Sequence, residues 1–472
     1  MKGLVKTILT IIAVSAIVAC VSLFAIGCGG KGDKGDKGDD SGHTHVYDKE
    51  VTTEKYLATA ATCTEKATYY YSCACGEKGT QTFSSGDSLG HKFGEWQTMG
   101  GKRIRKCTRT GCDYVGGESQ GLEYEVNRND TTCCTIAGIG TCTDTDITIP
   151  EKIDGYKVTT IDQQAFAACY ELTSITIPNG VTSIRQQAFV YCDGLISIVI
   201  PDSVRFIGFQ AFYNCSGLTS VTIGNGLNDI DREVFGNCSG LESITVSSDN
   251  AKYHSNGNCL IETESKELIF GCKNSVIPND GSVTSIGESA FIGCIRLTSI
   301  AIPGSVTNIP GCAFEYCGIL TNIIVDKSNK KYHSEGNCLI ETETKTLVLG
   351  GKNCVIPSDG SVTSIGDKAF YGRTQLDSIV IPDGVTSIGN YAFMQSGLAT
   401  ITIPDSITSI GDYAFLHCNI LHFGLNYNEY DNALYLGNES NPYVALIEAK
   451  TTDIASCIIN ENCKVIANSA FV

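Results

Sequence analysis

Methionine is almost missing from this chain, with 3 residues in 472, and stretches rich in Ala, Leu, Glu and Lys are scarce. Both shortages argue against an all-helical protein, because those residues carry helix propensity, whereas abundant Ile, Thr and Ser and 50 Gly favour strands and turns. Positive charge is short as well: 34 Lys and Arg stand against 51 Asp and Glu, a formal net charge of -17. That balance makes nucleic acid an unfavourable partner, since a polyanion meets net repulsion. No phosphate-binding loop, zinc-protease helix or calcium loop occurs. The seven histidines are His43, His45, His91, His254, His333, His417 and His422, and His254 and His333 sit 79 residues apart in corresponding segments. Such recurrence points to structure, because a catalytic base is ordinarily singular.

Residues 1–27 form an export signal: Lys2 and Lys6 make a basic start, and residues 7–26 are apolar enough to enter a membrane. An uncleaved membrane helix is the alternative. The segment Ala25-Ile26-Gly27-Cys28 resembles the bacterial lipoprotein lipobox, with Ala25 where that motif usually carries Leu. The resemblance implies that Cys28 is acylated and tethers the chain to the extracellular face of the cell envelope. Residues 28–42 then hold Lys-Gly-Asp three times, the composition of a solvated spacer.

A small cysteine-bearing β module follows over residues 43–120. Cys73-Ala74-Cys75-Gly76 and the pair Cys107 and Cys112 would each bring two thiolates together on a tight turn, a geometry that suits tetrahedral zinc. Disulfides and free thiols fit the same residues, and Cys63, His91 and Trp96 lie in the same stretch. The basic run Lys102, Arg103, Arg105, Lys106 and Arg109 is a solvated strand face or a grip for an anionic wall polymer. Residues 62–65, 69–76 and 89–91 resemble a short cysteine-containing module found ahead of repeats in clostridial surface proteins, a family without an assigned activity.

From residue 121 to the end an internal repeat dominates. Phe166, Phe189, Phe212 and Phe235 fall at intervals of 23, and the landmark returns at Phe291, Phe314, Phe370, Phe393, Phe415 and Phe471. A unit this short cannot bury its own apolar face, so successive units must stack Ile, Phe and Leu into one continuous core. The alternation at Leu172, Ile175 and Ile177 places Ser174 and Thr176 on the outside of a short strand, which Pro178 ends. Three intervals are 56 residues long, and their extra 33 residues hold two apolar runs around a polar turn, such as residues 262–266 and 341–345. That pattern predicts β-hairpins sitting on the solenoid.

With these residues in hand, the chain resembles the BspA-type leucine-rich repeats of bacterial surface proteins. The resemblance implies a mainly β leucine-rich-repeat solenoid over 121–472, with an N-terminal cap at about 121–158 that includes a capping hairpin at residues 140–146. It also implies a non-enzymatic, adhesin-like role toward proteins or glycoproteins of a host matrix or of other cells. The exposed hydroxyls Ser174, Thr176, Ser197, Ser220, Thr222, Ser243 and Thr245 make an uncharged ribbon suited to many weak contacts. A structural stalk of the envelope is a competing role. So is the repeat part of a larger surface enzyme, since Ala470-Phe471-Val472 stops in mid-repeat.

Cysteines three residues after the landmark, among them Cys169, Cys192, Cys215, Cys238, Cys294, Cys317 and Cys418, are expected to be buried thiols, because stacked equivalent positions share one Cβ direction. Arg373 and Ser396 fill the same slot. A disulfide inside a hairpin, among Cys259, Cys272, Cys338 and Cys354, is left open. Metal analysis with thiol titration of residues 29–472 separates the readings of the small module: a zinc set releases metal together with titratable thiols, whereas disulfides yield neither until reduced.

Overall fold

The computed structural model describes residues 46–62, 65–73, 76–85, 97–99, 102–106, 108–110, 112, 115–418, 426–450 and 457–471. The export signal, the spacer and Cys28 lie outside the described residues. Among the described residues no helix is long and apolar enough to cross a membrane.

Two compact units are present, Met1–His91 and Lys92–Val472. The first holds an antiparallel sheet of Leu57–Thr59, Ala67–Ser72 and Lys78–Ser85, with the rings of Tyr69 and Tyr71 against Phe83. The second contains a further antiparallel sheet, Gln97–Met99, Lys102–Lys106 and Val115–Gly117, and then the solenoid.

Each 23-residue coil contributes two short strands and a turn. The first strands stack as a parallel ribbon, with Ser197–Ile200, Ser220–Ile223 and Ser243–Val246 in register. Second strands make another parallel sheet through Tyr156–Ile161, Ser183–Ile184, Phe206–Ile207 and Asp229–Ile230. The third side is the turn around the landmark, where in most coils the residues two before and two after phenylalanine adopt left-handed backbone, as Gln187 (φ 54°) and Tyr191 (φ 60°) do around Phe189. This double turn aims the ring inward, and the N–H of Phe189 donates to Ala211 O of the next coil at 2.7 Å. Stacked rings then run up the core: Phe166, Phe189 and Phe212 have centroids 5.1 and 4.9 Å apart and lie within 5° of parallel. Hydroxyls tie the coils together from outside, since Thr182, Thr219 and Thr386 each donate to a carbonyl one coil earlier at 3.0–3.2 Å.

The cap differs from expectation. The hairpin is Glu123–Val126 against Cys133–Gly138, and residues 140–146 are the connection into the first ribbon strand, Asp146–Thr148. Cys134 and Ile136 are the reason: both are fully buried, so Cys133–Gly138 must lie on the first coil, where it pairs parallel with Tyr156–Ile161.

A second correction concerns the long intervals. The extra residues are three-stranded meanders built into the stack, Tyr253–Asn256, Cys259–Glu262 and Glu267–Phe270 in the first, and Tyr332–Glu335, Cys338–Glu341 and Thr346–Gly350 in the second. The third strand of each pairs parallel with the next coil. Gly271 N donates to Ala290 O and Gly350 N to Ala369 O, the bond that the landmark phenylalanine makes elsewhere. Glycine therefore holds the landmark position, and the following Phe291 or Phe370 ring occupies the space that its side chain would need.

Because strand side chains alternate in direction, a meander has two apolar faces. Leu260 and Phe270 pack on the preceding coils, whereas Cys259, Ile261 and Leu268 pack on the following ones. Leu339 and Leu349 look backward and Cys338, Ile340 and Leu347 forward in the second meander. The expected single core is thus three cores walled by the first two meanders, while the third meander, Asn428–Tyr430, Ala433–Leu436 and Ala445–Ala449, lies within the last core. Gly350→Ala should lower stability by about 1–3 kcal/mol in urea unfolding, since its Cβ would lie 1.9 Å from the Phe370 ring. An unchanged midpoint would show that the ring can move aside.

Candidate functional site

The ribbon places most of the expected hydroxyls side by side. Ser197, Ser220 and Ser243 form one column and Val199, Thr222 and Thr245 a second, while Ile198, Val221 and Ile244 between them are buried. The second column stands fully exposed, whereas Ser220 and Ser243 are half-buried. Ser174 and Thr176 pair instead with Asp146 and Thr148, and the Ser174 hydroxyl donates to the Asp146 carboxylate. A partner arriving at this face meets the column of Val199, Thr222 and Thr245 first.

Meanders cut the ribbon into lengths, which resume at Ser299–Ile302 with Asn322–Val325 and at Ser378–Val380 with Thr400–Thr402. Each length carries one large aliphatic side chain in the outer column: Val199 is 61% exposed, Ile324 48% and Val380 65%. Exposed aliphatics set among small hydroxyls suit a contact surface, because burying them supplies affinity that hydroxyls alone do not.

The turn side holds polar networks that the sequence alone did not single out. Gln164, Gln187 and Gln210 form a one-way ladder, each Nε2 donating to the next Oε1 at 2.9 Å, and Gln210 donates to Glu233 Oε2 at 2.8 Å. Farther along, the Tyr316 ring crosses over Gly372 to bond Gln395, its hydroxyl lies 3.2 Å from that of Tyr371, and Lys368 pairs with Glu315 at 2.7 Å. Burial raises the Glu315 carboxyl pKa and Lys368 opposes the shift. The 23-residue spacing of the glutamines was the available signal.

The thiol ladder is structural. Sγ of Cys192, Cys215, Cys238 and Cys418 each donates to a landmark carbonyl one coil earlier at 3.1 Å, and Cys317 does so at 3.2 Å. Arg373 takes over that bond, Nη1 donating to Phe314 O at 2.8 Å and Nε to Gly350 O at 2.9 Å, with the residue 1% exposed. Gly351 stands where the first meander has Cys272, so the larger side chain at 373 coincides with a smaller one beside its carbonyl partner. His254 and His333 each set Nδ1 2.9 Å from a threonine Oγ1, and Lys252–Glu262 recurs as Lys331–Glu341, all structural pairings within the meanders.

Of the four proposed zinc ligands, Cys73 is buried in the first unit at a turn closed by Gly76 N to Cys73 O at 2.9 Å, and Cys112 is half-buried in the second. Cys75 and Cys107 lie outside the described residues, as do Cys63, His91 and Trp96. Among hairpin cysteines, Cys338 and Cys354 form a disulfide, with Cα atoms 5.8 Å apart, whereas Cys259 and Cys272 are free. A cavity of about 150 Å³ lined by Tyr413, Phe415, Tyr427, Ile447 and Ser469 is smaller than pockets for drug-sized ligands.

Burial pushes the Cys418 and Cys259 thiols up to about 12 and Cys317 to about 11. These residues should stay unmodified by iodoacetamide at pH 8 in the native protein and react only on unfolding, as read by mass spectrometry; labelling at the rate of an unfolded control would contradict their burial.

Comparison with known proteins follows the same geometry. No curated protein matches the chain. Among solved structures, a leucine rich cell surface protein of Faecalibacterium prausnitzii is 24% identical, covering 64% of this chain and 92% of its own, with a TM-score of 0.27. The pneumococcal vaccine antigen PcpA is 18% identical over 74% of this chain and 77% of its own, with a TM-score of 0.37. A leucine-rich repeat protein of Bacteroides ovatus is 21% identical over 75% and 90%, with a TM-score of 0.33. The family model for the BspA type leucine rich repeat region matches in 6 copies over residues 141–262, 266–343 and 351–439, well over half of the sequence. Together with the coil that repeats the Ala-Phe landmark, this match makes the chain a member of the BspA type leucine rich repeat family.

Proposed function

We propose that this protein is a non-enzymatic binding protein of the bacterial surface, tethered through acylated Cys28 and contacting proteins or glycoproteins of a host matrix or of other cells along its repeat ribbon. Family membership supports a repeat surface as the working part. The observation that carries the reading is the in-register outer column of Val199, Thr222 and Thr245, exposed and uncharged on a chain of net charge -17. Such a column lets many weak contacts add along the coils and keeps like-charge repulsion away from the contact.

Beads carrying residues 29–472 should adhere to immobilised matrix proteins or to bacterial cells. Replacing Ser197, Ser220 and Ser243 with arginine, or Thr222 alone, should abolish that adhesion while circular dichroism still reports the native sheet content. Retained adhesion by folded variants would remove the ribbon from the binding site and point to the turn side with its glutamine ladder and tyrosines. Adhesion by no variant, wild type included, would favour the stalk.

A further inference from the structure

Inside a run of regular coils, neighbours are joined by two β ladders, a stacked phenylalanine pair and a thiol bond to a carbonyl. All of these change together at the preceding side of a meander. The second sheet ends at Asp229–Ile230 and the ribbon at Ser243–Val246, and neither continues by ladder pairing into Tyr253–Phe270 among the described residues. Phe235 meets Phe270 edge-on, at 80° and 5.7 Å, in place of a parallel stack. Apart from the apolar packing of Tyr253, Leu260 and Phe270 on the preceding coils, what crosses is isolated: Val246 N to Ser255 Oγ at 3.0 Å, Asn237 N to Ile292 O at 3.1 Å, and the ion pairs Lys273–Glu242 and Arg232–Glu288.

The second meander repeats the loss of ladders, and what crosses is Val325 N to Ser334 Oγ at 3.1 Å, Ile309 N to the Tyr332 hydroxyl at 3.1 Å, Lys352 N to Leu320 O, Arg373 reaching back to Phe314 O, and the turn-side bonds of Tyr316 to Gln395 and Lys368 to Glu315. On the following side, by contrast, each meander is laddered to its coil, Leu268 beside Ile286 and Leu347 beside Ile365. Contact across the two sides of a wall is therefore unequal in kind, and in stacked repeats the interface between neighbours sets how far unfolding spreads.

We propose that the preceding face of each of these two meanders is a fault line, so that the solenoid opens as three cooperative lengths, near residues 122–246, 253–325 and 332–415. The Cys338–Cys354 disulfide makes the third length different, since it ties a meander strand to the segment that follows it. Ser275 occupies the corresponding place in the first meander, where its hydroxyl donates to Asn258 O at 2.8 Å and nothing covalent closes the loop. Oxidation thus reinforces one wall and leaves the other unchanged.

Native-state hydrogen exchange of the full chain, read by mass spectrometry over rising urea, tests it. Amides should fall into three groups that share opening behaviour, with changes near residues 247–252 and 326–331; one common transition over 122–415 would overturn the proposal. Phe212→Ala should speed exchange in 122–246 by about tenfold or more and leave 332–415 within about twofold, and an equal effect in both lengths would overturn it. Should that variant fail to fold, Ile198→Val supplies the same comparison. Dithiothreitol, or Cys354→Ser, should accelerate exchange in 338–350 and spare 259–270; acceleration of both meanders, or of neither, would refute the covalent part.

Discussion

Everything in the solenoid depends on a phenylalanine that its own coil cannot cover. A 23-residue coil is one layer thick, so burial of the Phe189 ring needs the neighbouring coils, with Phe166 stacked on one side and Phe212 on the other. Fully burying such a side chain is worth about 1.5–3 kcal/mol, and the gain exists only when coils are in phase. The left-handed residues on either side of the landmark hold the ring at that point, and the ladders, hydroxyl columns and thiol bonds follow from coils that already superpose.

The same constraint explains where the regularity breaks. A meander cannot offer a landmark ring, because its strands run back and forth within one layer, and glycine at 271 and 350 concedes the space to the next phenylalanine. What it supplies instead is a sheet with apolar residues on both faces, which closes one core and opens another. The disulfide and the buried Arg373 both occur at the second wall, where the repeated chemistry of the first has been altered: Ser275 becomes Cys354, Cys272 becomes Gly351 and Cys294 becomes Arg373.

For function, repetition has two consequences. Inward positions repeat because packing demands it, and the ribbon hydroxyls repeat because they lie on strands of fixed register. Specific recognition needs departures from that pattern. Val199, Ile324 and Val380 are departures on the ribbon, and the tyrosines, Glu315, Lys368 and Gln395 are departures on the turn side.

The sequence by itself determined the coil: its length, its inward residues and the two columns of the ribbon, since a period of 23 with alternation inside it admits one way of hiding the apolar side chains; of the thiols expected to be buried, Cys169 and Cys294 are only half-buried. It also marked where regularity stops, through the 56-residue intervals. Only the tertiary structure decided what fills them, because two apolar runs around a polar turn read the same whether a hairpin lies on a surface or stands as a wall with a core on each side. It likewise decided the capping hairpin, the Cys338–Cys354 pairing and the turn-side network, each of which joins residues whose meeting depends on how coils and meanders stack rather than on their order along the chain.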